Sequence, residues 1–402
     1  MNTGRSVFAQ LLAIVPFNHF EHLVDKYQSN HWVRTFSAWN HFICFSYAQL
    51  TRRDGLRDLI ACINTLGHKL YHCGLRCSVA KSTLADANER RSFIVFEDLA
   101  NRLVLLALHE YREQALPLGL SESLYALDST TIDLCLKLFA WANFRQTKAA
   151  VKAHTVLDLR GAIPVMVSIT TGKVHDVHAL DNLHLPVDSI LVVDRAYVDF
   201  KRLYTWVGKG CHFVVRAKAN MVFEVLNSVS VGAQASDESA LSSVAAQVQT
   251  RLISDQHIVL TGNKSKRLYP KILRRVTIYD ELGARELVFI SNRMDLPALT
   301  IAAIYKQRWQ IELFFKWLKQ NLCVKHFFGN SENAVKSQIW IAVCVYLIVL
   351  IAHKRLNTKL SLRNFMHLIE THLFEKTALQ TLVDSATVNQ KTAELTAQKN
   401  LF

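Results

Sequence analysis

One segment of the chain, residues 305–319, sets a single acid among cations and aromatic side chains. On a helix that turns by about 100° per residue, one stripe of this segment holds six of these side chains: Tyr305, Arg308, Trp309, Glu312, Lys316 and Lys319. A carboxylate binds the hard cation Mg²⁺, arginine and lysine hold phosphate oxygens, and an aromatic ring can stack on an exposed base. The stripe therefore favours chemistry at a phosphodiester. The alternative is a surface helix with an ordinary Glu312–Lys316 pair, which stabilises a helix by only about 0.3 kcal/mol.

A second stripe of the same segment is apolar and indicates the face that packs against a core. It consists of Ile304, just before the segment, and of Ile311, Phe314, Phe315 and Leu318 within it. Asp295 and Pro297 precede this segment and are typical of a helix start. We therefore predict one helix from about Leu299 to Leu322.

Two further acids follow apolar runs that are typical of buried strands. Asp194 closes the aliphatic run 190–193, and Asp128 follows the run 124–127. Ligand sites in open α/β sheets lie near strand ends, where an acid can reach a metal ion. Each acid also has a simpler interpretation. Asp194 could cap a helix that begins at Tyr197, and Asp128 could belong to an Asp-Ser-Thr turn.

Taken together, Asp128, Asp194 and Glu312 form a coherent set for two-metal phosphoryl transfer. In that chemistry, two Mg²⁺ ions about 4 Å apart activate the attacking oxygen and stabilise the leaving one. The acids hold the ions, and the nucleophile is water or a DNA 3′-hydroxyl, so no nucleophilic side chain is needed. Asp133 competes with Asp128 for this role, but we expect it to lie beyond the turn that ends the strand.

The overall charge favours a polyanionic partner. The chain has 402 residues and a formal net charge of +14, and its pI is about 9.4. Such a surplus suits nucleic acid, although a basic soluble protein without such a partner is the alternative. Eight cysteines offer only one close pair, Cys73 and Cys77, so reduced thiols are favoured over a zinc site. The apolar run 339–352 is shorter than the roughly 20 residues of a membrane span and predicts a buried helix.

The N-terminal region, residues 1–115, has the pattern of an all-helical domain. Within it, Ser82 or Thr83 could cap a helix that presents Arg90 and Arg91. Such a helix would suit a DNA groove or a row of phosphates. A solvated charged helix face is the alternative.

From about residue 120 the pattern changes to an α/β order. Strand-like runs occur near 150–157, 162–170, 189–193 and 212–215, and a helical pattern occurs at 197–207. Residues 221–297 mix polar sequence with β-branched runs, which predicts an inserted, partly β subdomain. Residues 298–355 would complete the core begun by 116–220, and residues 356–402 form a polar helical tail.

The residues just described resemble a known family. The spacing Tyr305–Arg308–Glu312–Lys319 resembles the YREK pattern of insertion-sequence-4-type DDE transposases. The runs 127–130 and 193–197 resemble that family's first and second acid motifs. The second motif often reads Asp-Arg-Gly-Tyr in the family, whereas this chain has Ala196 in place of the glycine. The resemblance covers residues 120–350 well and residues 1–115 more loosely.

This resemblance implies a ribonuclease-H-like core with a β-rich insertion before the helix that carries Glu312. The gap from Asp194 to Glu312, 312 − 194 = 118 residues, is long enough for it. The resemblance also implies Mg²⁺ or Mn²⁺ as cofactor, nicking of transposon ends and second-strand cleavage through a DNA hairpin. Tyr305, Arg308 and Lys319 would contact phosphates near the cut, and Trp309 would stack on or near a flipped base.

The resemblance further implies a homodimer that acts on double-stranded DNA, at terminal inverted repeats and at target DNA. We expect no membrane, no nucleotide cofactor, and a location in the bacterial cytoplasm with the nucleoid. Two alternatives remain open: a ribonuclease-H-like endonuclease or resolvase without strand transfer, and a non-catalytic DNA-binding repressor derived from a transposase.

Overall fold

A computed structural model describes residues 4–115, 117–145, 148–173, 181, 183–229, 250–322 and 326–387. The chain divides into two compact units. The first combines residues 1–113, 132–150 and 315–402, and the second combines residues 114–131 and 151–314. The five-part domain division made from the sequence stays a prediction.

The helices of the described residues run as follows: α1 Val7–Leu12, α2 Phe17–Lys26, α3 Ala38–Leu50, α4 Leu56–Thr65, α5 Gly67–Leu70, α6 Lys81–Arg90, α7 Ile94–Tyr111, α8 Phe200–Gly208, α9 Ser265–Leu268, α10 Ala298–Gln307, α11 Trp309–Asn321, α12 Glu332–Arg355 and α13 Leu362–His372. Residues 379–387 are also helical. The described part of the N-terminal region up to residue 113 contains helices and no strand, as the sequence predicted.

Helix α12 forms the core of the first unit. Ser331 caps its N-terminus by accepting a hydrogen bond from the Ala334 amide, and the helix packs against α7 and α3. Its length and hydropathy would suffice to cross a membrane, but 94% of its most apolar window is buried inside the protein. The prediction of a buried helix at 339–352 is thus confirmed.

The strands belong to one large sheet. They are β1 Leu124–Leu134, β2 Asn143–Arg145, β3 Lys148–Asp158, β4 Ile163–Thr171, β5 Ile190–Val193, β6 His212–Arg216, β7 Phe223–Ser228, β8 Thr250–Leu260, β9 Leu273–Asp280 and β10 Arg285–Ser291. Their order is β2-β3-β1-β5-β6-β10-β9-β8-β7, and β4 pairs with β3. The mixed α/β class predicted from the sequence is confirmed.

Three parallel strands form the centre of the sheet. Strand β5 pairs with β1 on one side and with β6 on the other, and its residues Ile190–Val193 are fully buried. Aliphatic runs of this kind are buried on both faces of a parallel sheet. The last register pairs join Val193 to Leu127 and to Val215. The two parallel ladders therefore end at the same level, although β1 itself continues beyond it.

The residues inserted between β6 and α10 extend this sheet. Strand β10 pairs antiparallel with β6, and β9, β8 and β7 follow in antiparallel order. The predicted β-rich insertion is thus confirmed for its described residues, and residues 230–249 of it lie outside them.

Two local predictions were wrong. Strand β1 does not end at Asp128 but continues to Leu134, so no turn separates Asp128 from Asp133. The single helix predicted from about Leu299 to Leu322 is two helices, α10 and α11, which meet at Arg308. Main-chain hydrogen bonds on either side of this residue span three positions, Arg308 to Tyr305 and Ile311 to Arg308. This tighter winding marks a local 3₁₀ turn.

Candidate active site

The parallel ladder brings the two aspartates to the same level of the sheet. Leu127 and Val193 form the last β1–β5 pair, and the next residue on each chain is Asp128 or Asp194. The buried pattern of β1 changes to half-buried at Asp128. The two carboxyl groups therefore leave the core where the ladder ends, as expected for a ligand site at the carboxyl ends of parallel strands.

The joint between α10 and α11 brings the third acid to the same place. Arg308 Nη1 lies 3.3 Å from Asp128 Oδ2, and its Nη2 lies 2.5 Å from Glu312 Oε1. Tyr305 donates from its hydroxyl to Asp194 Oδ1 at 3.2 Å. The helical face predicted to pack the core is buried, with Ile304 and Ile311 fully so. The structure thus gathers Asp128, Asp194 and Glu312 around Tyr305 and Arg308.

Tyr305 is itself held by the sheet. Its ring packs on Phe289 of β10, with 4.7 Å between the ring centroids. Burial raises the pKa of the Tyr305 hydroxyl, and the neighbouring Asp194 raises it further. The hydroxyl therefore stays protonated at neutral pH and acts as a hydrogen-bond donor to that acid.

The environment of Asp128 disfavours its charged form. Burial raises the pKa of this carboxyl to about 6, and the negative charges of Glu312 and Asp194 also raise it. The Ser129 amide and Arg308 act in the opposite direction but do not cancel the effect. A cation near Asp128 would relieve this cost by stabilising the carboxylate.

The donor set of this cluster fits a hard divalent ion. Three carboxylates supply the oxygen ligands that Mg²⁺ and Mn²⁺ prefer. Among the described residues, no three acid, histidine or cysteine side chains are already placed to hold an ion. The guanidinium of Arg308 contacts both Asp128 and Glu312, so a metal ion held by these acids would compete with it.

The raised pKa of Asp128 should make the stability of the metal-free protein depend on pH. An unfolded aspartate titrates near pH 3.9. Between about pH 4 and pH 6, Asp128 is therefore protonated to a greater extent in the folded protein than in the unfolded one. Stability that is present below this window is lost as the pH rises through it. We expect Asp128 to lower the free energy of unfolding by up to about 3 kcal/mol between pH 4 and pH 7.

Urea unfolding in EDTA measures this effect as the difference between wild type and Asp128→Asn. Because asparagine does not ionise, the difference should change across the window. Asp133→Asn is the matched control, since Asp133 is exposed on the same strand, and it should follow the wild type. A difference between wild type and Asp128→Asn that stays flat from pH 4 to pH 7 would contradict the raised pKa.

The other predicted residues on α11 lie outside this cluster. Trp309 is 57% exposed and lines an apolar cavity of about 400 Å³ together with Tyr305, Lys306 and Arg308. Lys316 is exposed and Lys319 is half-buried, one and two turns beyond Glu312 on the same helix. Their DNA contacts stay predictions.

The two arginines predicted on α6 differ in their surroundings. The helix begins at Lys81 without a side-chain cap, so the predicted cap at Ser82 or Thr83 was wrong. Arg91 is only 7% exposed, and its guanidinium donates to the main-chain carbonyls of Ser29 and Phe36. Arg91 therefore holds a loop of the helical unit, and the prediction that it contacts DNA is corrected.

Arg90 remains available at the surface. It is exposed at the end of α6 and lines a groove of about 470 Å³ with Arg34 and Trp32. Trp32 is 89% exposed. Of the two arginines, Arg90 is therefore the one whose exposure is compatible with a DNA contact.

One cation level with the acids was not singled out from the sequence. Arg216 follows Val215, which pairs with Val193 in the last step of the β5–β6 ladder. It therefore lies beside Asp194 at the edge of the sheet. The signal was present, because Arg216 closes an apolar strand just as Asp194 does.

Comparisons with known proteins identify a family and several relatives. Residues 119–348 match the transposase DDE domain family, and residues 3–76 match a domain family of unknown function. A Sinorhizobium fredii protein named as a transposase, y4zB, is 28% identical over 74% of this chain and 79% of its own length. A protein named as the transposase of insertion sequence IS5377 from Geobacillus stearothermophilus is 31% identical over 63% of each chain.

One further relative and one solved structure are similar to this chain. A Synechocystis protein named as the transposase of insertion sequence IS4SA is 24% identical over 83% of this chain and 88% of its own length. Among solved structures, a piggyBac transposase synaptic complex with hairpin DNA overlaps with a TM-score of 0.42 at 9% identity, covering 96% of this chain and 80% of that one.

The matched domain spans more than half of the chain and contains all three acids. The chain belongs to the transposase DDE domain family. It is a DNA transposase, an enzyme with a ribonuclease-H-like α/β core, a β-rich insertion and a helical N-terminal region. DDE domains generally act with divalent metal ions, which agrees with the carboxylate cluster.

Proposed function

We propose that this transposase cuts its element out of DNA and joins it to a target, and that Asp128, Asp194 and Glu312 are its catalytic acids. The observation that supports this most is the convergence of the three acids on Arg308 and Tyr305. Each acid comes from a different element, yet all three meet at one edge of the sheet. A structural ion pair would need only one acid for Arg308.

The chemistry needs no covalent step on the protein. In cleavage, a water oxygen bonds to phosphorus and the DNA 3′-oxygen leaves with a proton, giving a 3′-hydroxyl. In joining, that 3′-hydroxyl bonds to a target phosphorus and the target's own 3′-oxygen leaves. Two Mg²⁺ ions, with Mn²⁺ as a substitute, would supply activation of the attacking oxygen and charge stabilisation at the leaving oxygen. Asp128, Asp194 and Glu312 would hold them.

The neighbouring side chains orient the phosphodiester. Arg308, once it is freed from Asp128 and Glu312, has a planar set of donors that suits phosphate oxygens. Tyr305 keeps a proton to donate, and Lys319 would add charge further along α11. Trp309, being largely exposed above an apolar cavity, suits stacking on an unpaired base.

Several parts of this proposal depend on the family resemblance. We propose that second-strand cleavage proceeds through a DNA hairpin, and that a homodimer pairs the two terminal inverted repeats. We further propose that no nucleotide cofactor is required and that the protein works in the bacterial cytoplasm at the nucleoid. The net charge of +14 supports contact with double-stranded DNA over a wide surface.

A cleavage assay on DNA that carries the element's own ends tests the proposal. We expect wild type to cut at the element boundary only when Mg²⁺ or Mn²⁺ is present, and Asp194→Ala to lose this cutting while it still binds the ends. Asp133→Ala, which removes an exposed acid, is the matched control and should cut normally. Cutting by Asp194→Ala at the wild-type rate would overturn the assignment of this acid.

The products of the same assay separate the alternatives. Joined target DNA identifies a transposase, whereas cut ends that never join would indicate an endonuclease or resolvase. Binding of the ends without cutting by either protein would indicate a repressor. In that case, substitution of any of the three acids should leave repression unchanged.

A further inference from the structure

A second group of cations lies beside Asp194, away from α10 and α11. Four basic side chains and one acid line a groove of about 240 Å³ in the second unit: Arg195, Arg216, Lys218, Arg275 and Glu286. We refer to it as the basic groove. Its net positive charge suits the phosphate backbone of a nucleic acid.

The cations of the basic groove are largely uncompensated. Arg195 and Arg216 make no side-chain hydrogen bond or ion pair with another described residue. Lys218 donates to the Val198 carbonyl at 2.9 Å, a neutral partner. With four cations and one acid the groove carries a net positive charge, so the binding of an anion there would stabilise the folded protein.

Arg275 also lacks a directly paired carboxylate, and its side chain is half-buried. Its guanidinium donates to Gln256 Oε1 at 3.0 Å and lies over the Phe223 ring, 5.1 Å from the centroid. Burial lowers the pKa of Arg275, and the nearby Glu286 offsets this only in part. A half-buried cation without a directly paired carboxylate is costly, and a phosphate at the groove would offset that cost.

One end of the basic groove lies next to Asp194. Arg195 follows Asp194 in the chain, and Arg216 follows Val215, whose partner in the ladder is Val193. From there the groove leads towards the inserted strands, because Arg275 lies on β9 and Glu286 on β10. A DNA strand lying in it would therefore start beside the catalytic edge of the sheet.

Strand β10 separates this groove from the cavity of Tyr305 and Trp309. Glu286 and Val288 line the basic groove, whereas Leu287 and Phe289 line the other cavity. Successive side chains of a strand point to opposite faces of a sheet. Along β10 the two DNA-compatible surfaces therefore lie on opposite faces of the sheet, while Arg216, which also lines the basic groove, is paired with Phe289 at the catalytic edge.

Joining needs two DNA molecules at one active site, whereas cleavage needs one. Resting on the proposed function, we infer that the basic groove binds the phosphate backbone of target DNA, while α10 and α11 hold the transposon end. The groove contributes affinity for the target and does not take part in cleavage of the end.

The test compares cleavage with joining in two single variants. Lys218→Glu reverses an exposed charge in the groove, and Arg275→Gln removes the half-buried one. Lys209→Glu is the matched control, because Lys209 is exposed and precedes β6 at the opposite edge of the sheet. Cleavage is measured on intact ends, and joining is measured with precut ends and a plasmid target. Thermal melting establishes that each variant is folded.

We expect Lys218→Glu and Arg275→Gln each to reduce joining of precut ends at least about tenfold, with cleavage within about twofold of wild type. The slope of the logarithm of target affinity against the logarithm of salt concentration should become shallower by about one in each variant. An equal loss of cleavage and joining would overturn the target assignment, because the groove would then hold the transposon end. Joining at the wild-type level would overturn the groove as a DNA site. Failure of the wild type itself to join would instead overturn the proposed function.

Discussion

Glu312→Gln is expected to reduce cleavage at the transposon end about a thousandfold or more. Charge stabilisation by metal ions contributes several kcal/mol to such a reaction, and each 1.36 kcal/mol corresponds to a factor of ten in rate. Glutamine matches glutamate in size and still accepts a hydrogen bond from Arg308, so the joint between α10 and α11 should persist. What is lost is the negative charge that would hold the ion.

Binding of the ends should survive this change, because a carboxylate repels DNA phosphates rather than binding them. Single-turnover cleavage and gel-shift titration on the same end fragment measure the two effects. Glu332→Gln is the control, since Glu332 is an exposed acid in the first turn of α12 and pairs with Lys336. Cleavage by Glu312→Gln at a rate near that of wild type would remove Glu312 from the catalytic set.

Arg308→Ala is expected to affect metal binding and catalysis in opposite directions. The guanidinium forms ion pairs with both Asp128 and Glu312, so a metal ion would compete with it for both acids. Removal of this competing charge should strengthen binding of Mn²⁺ to the free protein by about tenfold, equivalent to about 1.4 kcal/mol. Cleavage should nevertheless fall about a hundredfold, as for loss of one preorganised donor to a developing charge.

Calorimetric titration with Mn²⁺ measures the first effect without relying on activity. Arg308→Lys is the matched control, because it keeps the charge but loses the planar pair of donors. It should retain metal affinity near that of wild type and show an intermediate loss of cleavage. Mn²⁺ affinity that stays unchanged or falls in Arg308→Ala would contradict the competition between guanidinium and metal.

The candidate acids were predictable because each follows a strong local pattern. The runs 124–127 and 190–193 are continuous apolar strands, and an acid that ends such a run stands out. The apolar stripe of 304–318 likewise identified the buried face around Glu312. Periodicity of this kind is a property of the chain and requires no knowledge of the fold.

The errors had three separate causes, one in distant contacts and two in the local pattern. Arg91 was expected at the surface, but it is buried because the carbonyls of Ser29 and Phe36 approach it from a loop more than fifty residues away. The end of the strand at Asp128 was misjudged because polar residues beyond it still belong to the strand. The break at Arg308 was missed because a helical stripe is counted on a straight helix.

The amino-acid pattern alone thus determined the α/β class, the β-rich insertion, the buried helix α12 and three acids in an order typical of the family. Local periodicity carries this information because burial of apolar side chains dominates folding. The tertiary structure decided which atoms meet. The parallel register set Asp128 level with Asp194, and the joint at Arg308 brought Glu312 to them. Strand β10 placed the basic groove and the Tyr305 cavity on opposite faces of the sheet. These relations depend on contacts between residues far apart in the chain, which no local pattern encodes.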